Sequence, residues 1–183
     1  MIPAIEGRYD AEWPGRSERR DCRVVAIGDS SLTAEGLESP TQLWLYRALE
    51  SIHLHTGRGL HLVVRGQPGA GLKEVERLAR LVAEDEPDVV VVVVGTNDAS
   101  PSFRLFSHLE DYTSRYRTLV RNVAGSGGLV VATGVGNLRY IPWSTKKPIR
   151  RLVRPLLAAL SWYVDRAIRR AVSGLTHVEL IHP

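Results

Sequence analysis

Four short clusters of glycine and small polar residues punctuate this sequence. They are Gly28-Asp29-Ser30-Ser31-Leu32, Gly66-Gln67-Pro68-Gly69-Ala70-Gly71, Gly95-Thr96-Asn97-Asp98 and Gly134-Val135-Gly136-Asn137. Each follows an apolar run. They supply a hydroxyl, backbone N–H groups free of bulky side chains, and amide and carboxyl groups. Taken singly, each has an ordinary reading. Ser30 suits a capping turn, the 66–71 loop suits an anion-holding nest of N–H groups, and Asn97 suits a local backbone bond. Neither G-x-G-x-x-G nor G-x-x-x-x-G-K-[ST] occurs, so both nucleotide fingerprints are absent.

The elements that must carry these loops read clearly from residue 23 onward. Apolar runs occur at Val24–Ile27, Leu60–Val64, Val89–Val94, Leu129–Ala132 and Val178–Ile181. Stretches with helical spacing lie between them, such as Leu72, Val75, Leu78, Ala79 and Val82, or Leu109, Tyr112, Tyr116, Leu119 and Val123. A further helix is expected over about 152–172. Alternating strands and helices imply βαβ units and a parallel sheet of five strands. Six consecutive valines from Val89 favour an extended backbone and suit a central strand covered on both faces. Residues 1–22 read as an N-terminal arm, and 23–183 as one domain. Ligands of such sheets bind beyond the carboxyl ends of the strands, where all four clusters fall.

Gly28-Asp29-Ser30, then Gly69, then Gly95-Thr96-Asn97-Asp98, each after its own strand and in this order, resemble the first three motif blocks of the SGNH (GDSL-type) hydrolase family. The resemblance spans about 23–181. It implies a three-layer α/β/α, flavodoxin-like fold and a serine acyl-transfer enzyme acting on carboxylic esters. By that resemblance Ser30 is the nucleophile. The oxyanion donors are the Ser30 N–H, the Gly69 N–H and the Asn97 side-chain amide, while Asp29 and Asp98 shape their turns.

A serine needs a base. The family supplies it from an Asp-x-x-His block, which is absent here. Glu179-x-x-His182 has the spacing with Glu in place of Asp. Two readings follow: Glu179 and His182 form the acid/base pair, or Thr176–Ile181 is the fifth strand and the catalytic block is expected beyond Pro183. The second is favoured, because residues three apart in a strand point to opposite faces.

The acyl group of an acyl-serine passes to water or to another hydroxyl. The family accordingly holds esterases, lipases, thioesterases, carbohydrate deacetylases and acyltransferases. A looser resemblance to enzymes that octanoylate glucosylglycerate in methylglucose lipopolysaccharide synthesis implies a sugar acceptor. The expected partners are thus an acyl ester and a sugar acceptor. The alternative is a non-catalytic module of the same fold that binds an anion or carbohydrate.

Composition narrows the classes. With 183 residues, 44% hydrophobic and 24% charged, the chain is neither disordered nor multi-domain in character. One cysteine, Cys22, excludes an internal disulfide framework and a cysteine-based zinc site. No cofactor or metal is called for, no signal segment is evident, and a cytoplasmic setting is expected. The net charge of +4 is unevenly spread: residues 139–170 carry nine Lys/Arg against Asp165 alone. That stretch suggests an anionic ligand or peripheral contact with an anionic membrane; no nucleic-acid motif accompanies it.

Overall fold

The computed structural model describes residues 7–15, 20–33, 37–99, 109–126, 128–136, 138 and 154–182. Asn137 and positions 139–153 of the basic stretch lie outside the described residues. The elements are β1 (Gly7–Trp13), β2 (Cys22–Gly28), α1 (Trp44–Thr56), β3 (Leu60–Gly66), α2 (Leu72–Ala79), β4 (Val89–Val93), α3 (Leu109–Ala124), β5 (Leu129–Thr133), α4 (Arg154–Val172) and β6 (Val178–Ile181).

They build one sheet in the order β1-β3-β2-β4-β5-β6. The strands from β2 to β6 run parallel, and β1 lies antiparallel on β3 with Gly7 opposite Gly66 and Trp13 opposite Leu60. The sheet therefore has six strands, not the expected five, and residues 7–13 of the expected arm form the extra one. Its alternation explains the pairing. Trp13 is buried with Tyr9 and Ala11 packed beside it, while Asp10 and Glu12 are exposed. That period of two belongs to an edge strand, and the charges between the apolar positions concealed it.

The central strands bury both faces. Val24, Ala26, Leu62, Val64 and Val91 pack with Leu45 and Leu49 of α1. Val25, Ile27, Val63, Val90 and Val92 pack with Val75 of α2, Tyr116 of α3, and Val164 and Ile168 of α4. The valine run of β4 thus feeds two layers alternately, which is why it is apolar without interruption. α4 turns Leu157, Leu160, Val164, Ala167, Ile168 and Ala171 inward at helical spacing. α1 ends at Gly57, whose left-handed backbone (φ 65°) lets its N–H reach the His53 carbonyl.

β3 lies on one side of β2 and β4 on the other, so the chain crosses over β2 between them. Such a switch point opens a crevice at the carboxyl ends of the strands.

Candidate active site

The loops after β2, β3 and β4 are stitched together at that crevice. The Gln67 N–H donates to the Gly28 carbonyl at 3.0 Å, and the Asp29 N–H to the Val93 carbonyl at 3.1 Å. The Asn97 amide donates to the Ala70 carbonyl at 2.8 Å, and the Leu72 N–H reaches both Asp98 carboxylate oxygens at 3.1 and 3.2 Å. Three segments far apart in sequence become one cluster holding Ser30, Gly69 and Asn97.

Ser30 opens a short 3-10 turn, Ser30–Leu32, and is exposed. Its N–H stands among the donors left without an intrahelical partner where a helix begins. The next residue is tied down: the Asp29 carboxylate accepts the Ser31 N–H at 2.9 Å and the Ser31 hydroxyl at 2.8 Å. The Ser30 carbonyl accepts the Thr33 N–H and hydroxyl at 3.1 and 3.0 Å, and the Trp44 indole N–H donates to the Ser31 carbonyl at 3.1 Å. Backbone and neighbours are fixed while the Ser30 side chain faces outward. Burial raises the Asp29 carboxyl above its ordinary range against the pull of its two Ser31 hydrogen bonds.

Gly69 has φ +71°, a left-handed conformation that favours glycine, and a Cβ placed there would touch nothing within 4 Å. Conformation, not crowding within the protein, sets the residue type at 69. Crowding acts at Gly71, where a Cβ would stand 2.7 Å from Asp98 Oδ1. Asp98 is buried, and its carboxylate caps the first turn of α2 through Leu72. Glu74 caps Gly71 in the same turn, at 3.1 Å. Burial pushes the Asp98 carboxyl up to about 6, with Glu74 and Asp29 adding to the rise and Leu72 and Arg115 opposing it. Tyr112 of α3 is buried nearby, its phenol raised by burial and by the charge of Asp98.

Glu179 and His182 are not brought together as a pair. Glu179 sits inside β6 with an exposed side chain. His182 packs over Gly134 and turns its Nδ1 to Asp165 of α4 at 3.3 Å, with Arg169 at 3.2 Å. β6 stands three strands from β2, about 14 Å across the sheet. The physical reason is the extended backbone of 178–181, which spends the spacing between 179 and 182 on strand length and alternation. Sequence reading missed the Asp165–His182–Arg169 cluster. Its members are separated along the chain, and only the packing of α4 beside β6 joins them.

Among the described residues no group of three His, Cys, Asp or Glu side chains could hold a metal ion, and no helix is long and apolar enough to cross a membrane. A polar cleft of about 440 Å³, lined by Glu12, Arg20, Asp21, Arg23, His61 and Glu86, opens at the amino edge of the sheet. It lies opposite the Ser30 edge. Its basic side chains already have acidic neighbours: Arg20 with Asp88 at 3.3 Å, Arg23 with Glu86 at 4.0 Å, and His61 with Glu12 at 3.8 Å.

Comparison with known proteins bears on this arrangement. The GDSL-like lipase/acylhydrolase family model matches residues 24–173. No curated protein sequence matches the chain. Among solved structures, the fold is similar to a psychrotrophic esterase from Pseudoalteromonas sp. at 18% identity, covering 89% of this chain and 78% of that one, with a TM-score of 0.64. It is similar to a lipase/acylhydrolase from Enterococcus faecalis at 19% identity, covering 87% and 75%, with a TM-score of 0.61. An acetyl xylan esterase from Geobacillus stearothermophilus shares the fold at 16% identity, covering 80% and 73%, with a TM-score of 0.54.

Proposed function

Because the chain belongs to the GDSL-like lipase/acylhydrolase family, we propose that it cleaves carboxylic esters through an acyl-serine at Ser30. The observation that carries this reading is the stitched loop cluster. It holds an outward serine hydroxyl on the edge where the Gly69 loop and the Asn97 amide are locked to each other by the Asn97–Ala70 bond.

In this reading the Ser30 oxygen bonds to the ester carbonyl carbon and its proton passes to a base. The carbonyl oxygen becomes an oxyanion facing the N–H groups of Ser30 and Gly69 and the second N–H of the Asn97 amide. Expulsion of the alcohol, with a proton, leaves the acyl-serine. Water or a sugar hydroxyl then attacks the acyl carbon and frees Ser30. Prepositioned donors of this kind are worth about 3 kcal/mol each in barrier. We assign His182 no proton-transfer role, since it is turned to Asp165 and stands three strands from Ser30.

The acceptor is decided by product analysis. The protein is incubated with a panel of short- and medium-chain aryl esters, and with an octanoyl donor plus glucosylglycerate. Free acid alone identifies hydrolysis; an octanoyl mass gain on the sugar identifies transfer. Either product should vanish in Ser30→Ala. Turnover that survives Ser30→Ala overturns the reading. Ligand binding with no turnover in the unaltered protein does so as well, and favours the binding-module alternative.

A further inference from the structure

The outer face of α4 serves neither the core nor the loop cluster. At about 100° per residue, Trp162, Arg166, Arg169 and Arg170 fall on the face opposite the buried Leu157, Leu160, Val164 and Ile168, with Tyr163 and Leu156 along its edge. The apolar members are open to solvent: Trp162 is 54% exposed, Leu156 41% and Tyr163 37%. Exposed apolar groups gathered together mark interaction surfaces, whereas scattered ones need no explanation. The Arg166 guanidinium lies 5.3 Å from the centre of the Trp162 ring, and Tyr163 meets that ring edge-on at 5.1 Å.

The charge of the stripe has one sign. Asp165, the single acid of the helix, lies beside the stripe and is taken up by Arg169 at 2.8 Å and His182 at 3.3 Å. Arg166 and Arg170 face outward, and Arg117 of α3 reaches the carbonyls of Arg170 and Ser173, adding a cation alongside. Tryptophan and tyrosine with basic neighbours on one helix face form the pattern that settles at a lipid headgroup boundary. A single-stranded nucleic acid would stack on Trp162 and pair with the arginines but has no use for the open aliphatic Leu156.

We propose that the outer face of α4 docks the protein on the surface of an anionic phospholipid bilayer. Trp162, with Tyr163 beside it, enters the headgroup boundary, and Arg166 and Arg170 pair with lipid phosphates. The middle of the helix, around Ser161 and Trp162, lies by the carboxyl edge of the sheet. There the Leu138 N–H, from the loop after β5, donates to the Ser161 hydroxyl at 3.1 Å. This surface stands whether or not Ser30 forms an acyl-enzyme.

The test is co-sedimentation of the full chain with phosphatidylcholine vesicles, with and without phosphatidylglycerol, over a range of salt. Binding should need the anionic lipid and weaken as salt rises. The double variant Arg166→Gln/Arg170→Gln should lose about 25-fold in affinity, at roughly fivefold per cation. A blue shift of tryptophan emission on vesicles should be present in the unaltered protein and absent in Trp162→Phe. These positions are exposed, and circular dichroism checks each fold. No binding to the anionic vesicles, equal binding by the double variant, or an unchanged blue shift in Trp162→Phe overturns the proposal. So does tighter binding of an oligonucleotide than of the vesicles.

Discussion

Replacing Asp98 by Asn should change how stability depends on pH. The Asp98 carboxyl is buried against Gly71 and Leu72, with Glu74, Asp29, Arg115 and Tyr112 as the titratable groups around it. Burial raises it from 3.8 to about 6 in the folded protein. The folded state therefore holds this proton more tightly than the unfolded chain does. The resulting stability is fully present below about 3.8 and is lost as pH rises through about 6. A rise of about two units corresponds to about 3 kcal/mol. The Asp98→Asn amide keeps a carbonyl oxygen for the Leu72 N–H but cannot titrate. Its stability relative to the unaltered protein should therefore climb by about 2.4 kcal/mol between pH 4 and pH 7, most of that full amount. Most other groups titrate in both proteins and cancel in the difference. Urea unfolding of both, at half-unit pH steps, reads the difference directly. Parallel curves across this range would refute the buried, protonatable clamp.

Further outcomes follow from the same loops. Asn97→Ala removes an oxyanion donor and its bond to Ala70, so kcat on an aryl ester should fall on the order of 100-fold or more; an unchanged kcat contradicts the role. Gly71→Ala sets a methyl against the Asp98 carboxylate and should cost about 1–3 kcal/mol in urea unfolding. His182→Ala should change the rate of acyl-serine formation by less than about tenfold, since loss of a general base costs about 10²–10⁴; a loss in that larger range would place His182 at the reaction.

Much of this arrangement was legible because the sheet is parallel. In such a sheet an uninterrupted valine run marks a strand covered on both sides, and β4 reads so at once. The residues following each run then mark the carboxyl edge of the sheet, where Ser30, Gly69 and Asn97 fall. β1 escaped notice because an edge strand buries one face only, so Asp10 and Glu12 broke up the apolar signal of Tyr9, Ala11 and Trp13. At Gly69 the positive φ, which no sequence pattern displays, adds a backbone constraint to the room that glycine leaves beside its N–H. The pairing of His182 with Asp165 was invisible because nothing local links position 165 to position 182. It arises from tertiary packing, to which spacing rules such as Glu179-x-x-His182 are blind.

The central claim is that Ser30 carries the acyl group, and trapping tests it most directly. The protein is treated with an alkyl fluorophosphonate, which reacts with an activated serine, then digested and mass-mapped. The account predicts one adduct, on the peptide containing Ser30, lost in Ser30→Ala and slowed in Asn97→Ala. An adduct on another residue, or none on the unaltered protein, would contradict it.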